Sequence, residues 1–167
     1  SADGGGGYVS GQHVSEFPGL EELTLASSGL GIVYQGGMGF GVNRRGLVSG
    51  GFGLGMTEVD NPNGIAGGFG GPVSGWQLVR RPVQIMLLTQ VGFGGFATRS
   101  SRVAEDVDGY FAMLAEGTLN IGLPLGFIMP VVYAGYQAIA TVGPSGPFGE
   151  QAFYSPTLGF RVLFGGF

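Results

Sequence analysis

From residue 30 onward the chain alternates with a period of two. In the stretch GGMGFGVNRRGLVSGGFGLGM, residues 36–56, glycine fills one phase (Gly37, Gly39, Gly41, then Gly51, Gly53, Gly55). The other phase is large and apolar (Met38, Phe40, Val42, then Phe52, Leu54, Met56). Alternate positions of a strand point to opposite faces, so this pattern predicts a hairpin with one bare face and one bulky face. The same period predicts strands over 30–43, 46–59, 64–71 with 74–80, 83–98, 108–122, 125–141 and 151–165. Turn residues separate them at 43–46, 60–64, 80–82, 99–108, 122–125 and 143–147. Consecutive strands with short connections form an antiparallel meander.

Two segments break the pattern. Residues 1–14, SADGGGGYVSGQHV, form a glycine-rich arm, either flexible or an added strand. In SEFPGLEELTLASSG, Pro18 followed by Glu21 and Glu22 is a helix-start signal and predicts one short helix over 18–26. The uncharged run from Gly117 to Gly149 is long enough for a membrane helix, but Pro124, Pro130, several glycines and the strand formers Val131, Val132 and Tyr133 favour two paired strands. The expectation is therefore an all-β fold: an antiparallel up-and-down meander, curled or barrel-like, with one short N-terminal helix packed on the glycine-rich face. The arm, 1–14, precedes a single β domain, 15–167. A bare face admits a close neighbour, so the helix or the arm is expected inside the curl. Alternatively, the glycines bend the strands so that a narrow barrel can close.

Composition changes the picture. Of 167 residues, 44% are hydrophobic and only 11% are charged, with 37 Gly, 13 Phe and 6 Tyr. An ordinary globular domain carries roughly 25% charged residues, so much of this surface is expected to face lipid or other copies of the chain. The net charge of −4 argues against nucleic acid. All seven basic residues are arginine, which suits poorly hydrated sites. Without cysteine there is no disulfide or thiolate metal site. Ser1, rather than Met, reads as a mature N-terminus after signal removal, which places the protein outside the cell or at its surface.

The alternating Gly/aromatic hairpins and the terminal Phe167 resemble small bacterial outer-membrane β-barrels. GGGGY, then FPGLEEL, then GGMGFGVNRRGLVSGGFGLG is similar to glycine-rich exported bacterial proteins of unassigned function. The first resemblance implies a closed barrel in an outer membrane, the second an exported protein. Three features favour a sheet completed by neighbouring subunits. The positions two, four and six before Phe167 are Gly165, Leu163 and Arg161, whereas the apolar set Leu158, Phe160, Val162, Phe164 lies in the other phase. Pro130 and Pro156 fall inside strands, and only 99–108 reads as a long polar loop. The leading expectation is a non-enzymatic, exported structural protein that self-assembles into an extracellular filament or sheath. Its contacts would run through the arm (Gly4, Gly5, Gly6, Gly7, Tyr8, Val9) and the apolar set Phe160, Val162, Phe164, Phe167. Its partners are copies of itself, with lipid as the other cover for the apolar face. The alternatives are the outer-membrane barrel and a soluble barrel holding an apolar ligand.

Candidate chemistry is sparse. His13, the only histidine, sits in the arm, and neither Ser74 in GPVSG nor Ser145 in GPSG matches a nucleophile elbow. No glycine pair follows a strand and opens a helix, so nothing calls for a nucleotide cofactor. In Glu105-Asp-Val-Asp-Gly, Asp106 and Asp108 are candidate Ca²⁺ ligands, weighed against a solvated acidic loop. Glu116 and Arg161 are charges within apolar strands and are expected to pair inside the curl as a structural element.

Overall fold

The computed structural model describes residues 3–13, 32–58, 65–99, 107–142 and 152–167. They form one closed antiparallel barrel of eight strands in up-and-down order. The strands are β1 (Asp3–His13), β2 (Ile32–Val42), β3 (Leu47–Glu58), β4 (Ile65–Val79), β5 (Gln84–Arg99), β6 (Val107–Gly122), β7 (Ile128–Val142) and β8 (Ala152–Gly166). The uncharged run after Gly117 divides between β6 and β7, as its prolines and β-branched residues required. The expected helix, 18–26, lies outside the described residues.

The glycine-rich segment is not a separate arm. As β1 it pairs with β2 on one side (Gly6 with Gly39) and with β8 on the other (Gly6 with Phe164). Both of its edges are used within the same chain, and this closes the ring.

The barrel has distinct ends. Residues 43–46, 80–83 and 123–127 join strands at the end where β1 begins and β8 finishes. The longer segments 14–31, 59–64, 100–106 and 143–151 join strands at the opposite end. At the first short turn Gly46 N–H donates to Asn43 O (2.9 Å), and Asn43 Oδ1 accepts from the N–H groups of Arg45 (2.9 Å) and Leu47 (3.0 Å). Gly46 has φ of 83°, which favours glycine over any residue with a Cβ.

The glycine phase of the β2–β3 hairpin proves to face outward. Met38, Phe40, Val42, Phe52, Leu54 and Met56 are buried in the lumen, while Gly37, Gly39, Gly41, Gly51, Gly53 and Gly55 are exposed. This overturns the expectation of a bare inner face receiving a helix or arm. Eight strands enclose only enough space for side chains, so the bulky phase must fill the lumen. Other glycines serve closure. At the inward positions Gly71, Gly75 and Gly94, an added Cβ would run into the carbonyl oxygens of Val91, Leu87 and Gly68 on the adjacent strand. At Gly41 and Gly53, on the outside, it would meet nothing.

The prolines fit because the ladders are staggered. Pro130 lies one step beyond the last β6–β7 pair, Gly122 with Val131, and its carbonyl accepts from Leu123 N–H (3.0 Å). Pro156 lies one step beyond the last β1–β8 pair, His13 with Thr157. β4 continues through Pro72, where the β4–β5 ladder skips from Gly70–Phe93 to Val73–Gln90 without changing register. A closed barrel therefore offers local edges where a missing N–H does no harm.

Gly75→Val should destabilise the barrel by about 2 kcal/mol or more, because backbone must move. Gly53→Ala should change stability by no more than ~0.5 kcal/mol. Urea titration of each folded variant, followed by the fluorescence of the single tryptophan, Trp76, distinguishes the two.

Candidate functional site

The lumen is divided by chemistry. On the β2–β4 side it is lined by Met, Phe, Val and Leu. On the β5–β8 side the inward phase mixes apolar side chains such as Met86, Leu88, Leu114 and Leu163 with Gln84 and Gln90, then Glu116, Thr118 and Asn120, then Gln137, and then Ser155, Thr157 and Arg161, all buried. Register brings them together: Gln90 is the Cα partner of Glu116, which on its other side is partnered by Gln137. Gln137 in turn faces Ser155. In this one row, each of the four strands places one polar side chain.

Glu116 is held by two donors. Gln90 Nε2 donates to its Oε2 (2.8 Å) and Thr157 Oγ1 to its Oε1 (2.7 Å). Arg161 lies near enough for its positive charge to act on Glu116. It also donates from Nη1 to Asn120 Oδ1 (2.5 Å), and its guanidinium sits 3.9 Å from the centroid of the Tyr133 ring. Asn120 Nδ2 passes the network on, donating to Thr118 Oγ1 (2.9 Å) and to the carbonyls of Thr118 (3.1 Å) and Met86 (3.4 Å). A guanidinium over an aromatic face, with a carboxylate and an amide oxygen nearby, is a stabilising arrangement for a buried cation. Arg161 and Asn120 are almost wholly shielded, at 1% and 0% exposure. Gln77 Nε2 and Gln137 Oε1 are buried and have no hydrogen-bond partner among the described residues.

This cluster can hold two opposite charges inside a narrow barrel and fix the separation of β5, β6, β7 and β8. The structure places Glu116 and Arg161 in the same lumen, each tied to neutral partners: Glu116 to Gln90 and Thr157, Arg161 to Asn120. The sequence reading missed those partners. Their signal was present: Gln84, Gln90, Glu116, Thr118, Asn120, Thr157 and Arg161 occupy one phase of their strands, with Leu87, Val91, Leu119, Ile121, Leu158 and Phe160 in the other.

The remaining candidates fall elsewhere. Gly4–Gly7, Tyr8 and Val9 lie along β1, within the ring, with the Tyr8 side chain outside and 47% exposed. Phe160 and Phe164 also point outward. Phe167 turns to the interior, packs against the lumen cluster, and lies where a Cβ on Gly5 would stand. That inward turn explains why the apolar phase before the last residue is 158, 160, 162, 164. His13 ends β1. Asp106 lies outside the described residues, and Asp108 stands near the start of β6. Among the described residues no three of His, Cys, Asp and Glu form a metal site.

No known family model matches the chain, and no curated protein matches it.

Replacing Arg161 by Leu leaves the carboxylate of Glu116 buried without its counter-charge, and should cost about 3–5 kcal/mol. The double variant R161L/E116Q should recover a substantial part of that loss. A double-mutant cycle on urea midpoints gives the coupling, and strict additivity would mean that the two charges do not interact.

Proposed function

We propose that the protein is a small integral β-barrel of an outer membrane, with a lumen filled by side chains. One observation carries this reading: the outer wall is apolar, while buried polar and charged side chains gather in the lumen, mainly on the β5–β8 side. Leu87, Val91, Phe93, Phe111, Leu119 and Ile121 are large, apolar and exposed on β5 and β6 alone. Directly behind them lie Gln90, Glu116 and Asn120. A water-soluble barrel has the opposite distribution, whereas lipid favours this one.

Charge placement supports it. The described charged side chains are Arg44, Arg45, Arg80 and Arg81 in the short turns, and Glu116 and Arg161 in the lumen. The outer wall between the ends carries none among its described side chains. β4 to β8 each have 15 or 16 residues, more than the roughly 9–11 tilted residues that cross a bilayer core. Ring closure leaves no backbone edge facing lipid. Trp76, 56% exposed on β4 close to the short-turn end, stands where an interfacial aromatic belongs.

The filament reading rested on a free arm and an open edge. With β1 paired on both sides, neither is on offer in this ring. Lipid rather than neighbouring subunits is thus the cover proposed for the apolar wall. The short turns at the end shared by the start of β1 and the finish of β8, with longer connections opposite, match the usual layout of such barrels. The reading assigns no catalysis. The filled lumen makes the barrel an anchor that presents its long connections on one side of the membrane.

The protein should require detergent to stay monodisperse and should insert into phosphatidylcholine vesicles, with Trp76 emission shifted to the blue and quenched by brominated acyl chains. Regular filaments formed without detergent would overturn the proposal. Val91→Arg, at the middle of β5, should lower the stability of the inserted barrel by about 2–4 kcal/mol.

A further inference from the structure

The short-turn end is strongly asymmetric in charge. Two of its three turns, 43–46 and 80–83, carry two exposed arginines each, namely Arg44, Arg45, Arg80 and Arg81. The turns are neighbours because β3 pairs with β4. They are also tied to one another: Gln77 N–H donates to Gly46 O (2.7 Å), and Arg80 Nη2 donates to Asn43 O (3.0 Å). Arg80 Nε donates to Gln77 Oε1 (2.9 Å), which fixes the side chain between the turns. The third turn, 123–127, has no charge and exposes Leu123, Leu125 and Phe127.

Four guanidinium groups therefore share one rim. Among the described residues, Asp3, at the foot of β1, is the one acidic residue at this end. Immediately along the wall from the arginines are the exposed apolar side chains Leu47, Trp76 and Leu78. A cationic rim continuous with an apolar, tryptophan-bearing wall complements a lipid whose acyl chains lie on the wall and whose phosphate carries a negative charge. Guanidinium groups suit this role because their planar donors match phosphate oxygens in pairs.

We propose that the two arginine turns bind anionic phospholipid headgroups in the leaflet at the short-turn end. This rests on the membrane reading above. Binding fixes the depth of that end, since an arginine rim stays at headgroup level while the apolar wall stays in hydrocarbon. Because the arginines occupy one side of the rim and the apolar turn 123–127 the other, headgroup binding is confined to the β2–β5 side.

The test compares wild type with R44Q/R45Q/R81Q, which keeps Arg80 and its bonds between the turns. Both are inserted into vesicles of phosphatidylcholine alone and of equimolar phosphatidylcholine and phosphatidylglycerol, then extracted gently, and the retained lipids are counted by native mass spectrometry. Wild type should retain phosphatidylglycerol over phosphatidylcholine by about tenfold, and the variant should lose that preference. The variant should still insert into phosphatidylcholine as well as wild type does. Equal preference in the two proteins, or none in wild type, overturns the inference while the membrane reading stands. Failure of wild type to insert into either vesicle overturns the membrane reading itself, and this inference with it.

Discussion

Everything in this molecule depends on the double pairing of β1. Ten residues of that strand are matched to β2 and ten to β8, and glycine fills Gly4 to Gly7 where both ladders run. Without it β2 and β8 would each present an unpaired row of N–H and C=O groups, an edge open to pairing with another chain and one that the lipid proposed above could not satisfy. Closure also fixes the space available inside. The lumen of an eight-stranded ring is filled by its own side chains, so each inward position must be chosen for volume. Small residues at Gly71, Gly75 and Gly94 let adjacent backbone approach, while Phe40, Phe52 and Phe69 fill the room left over on the β2–β4 side.

The same limit on space explains the polar half of the lumen. A buried carboxylate or guanidinium is costly unless both charge and hydrogen bonds are met. Here Glu116 and Arg161 are surrounded mainly by neutral groups of fixed geometry: Gln90, Thr157, Asn120 and the Tyr133 ring. Between them they span β5, β6, β7 and β8. A polar interior of this kind is also what leaves the outer phase of those strands free to be apolar. Inside and outside are thus two consequences of one alternation.

Much of this was legible in the sequence. Period-two patterning located β2, β3 and β5 to β8 to within a few residues, because each is long and bounded by turn chemistry, but it left β1 as an arm, flexible or an added strand. It located β7 and β8 despite Pro130 and Pro156, but divided β4 at Pro72, where the strand continues across a gap in one ladder. What the pattern could not supply was sidedness on β2 and β3. Sidedness is read from polarity, and there both phases are apolar or bare, so only size distinguishes them. Size points to the lumen once the ring is known to close, and closure is a long-range fact: it joins residue 6 to residue 164. On β5, β6 and β8 polarity did mark the inner phase, through Gln90, Asn120 and Thr157. Glu116 and Arg161 stood out as lone charges, while the neutral members of the same phase looked like ordinary strand residues.

The outward glycines separate two roles that one residue type plays in this barrel. Inward, at Gly75, a side chain is excluded by backbone of the next strand. Outward, at Gly41 and Gly53, the space is open, and nothing in the ring requires glycine. The wall formed by β1 to β3 is consequently smoother than the wall formed by β5 to β8, where Phe93, Phe111, Tyr136 and Phe160 project. In the membrane setting proposed above, a smooth wall and a bulky wall would bury different amounts of surface in the same lipid. Apolar burial scales with area, so the driving force for insertion would fall mainly on the β5–β8 side. That is also the side whose lumen holds the charges, which would place the costliest interior behind the most strongly inserted wall.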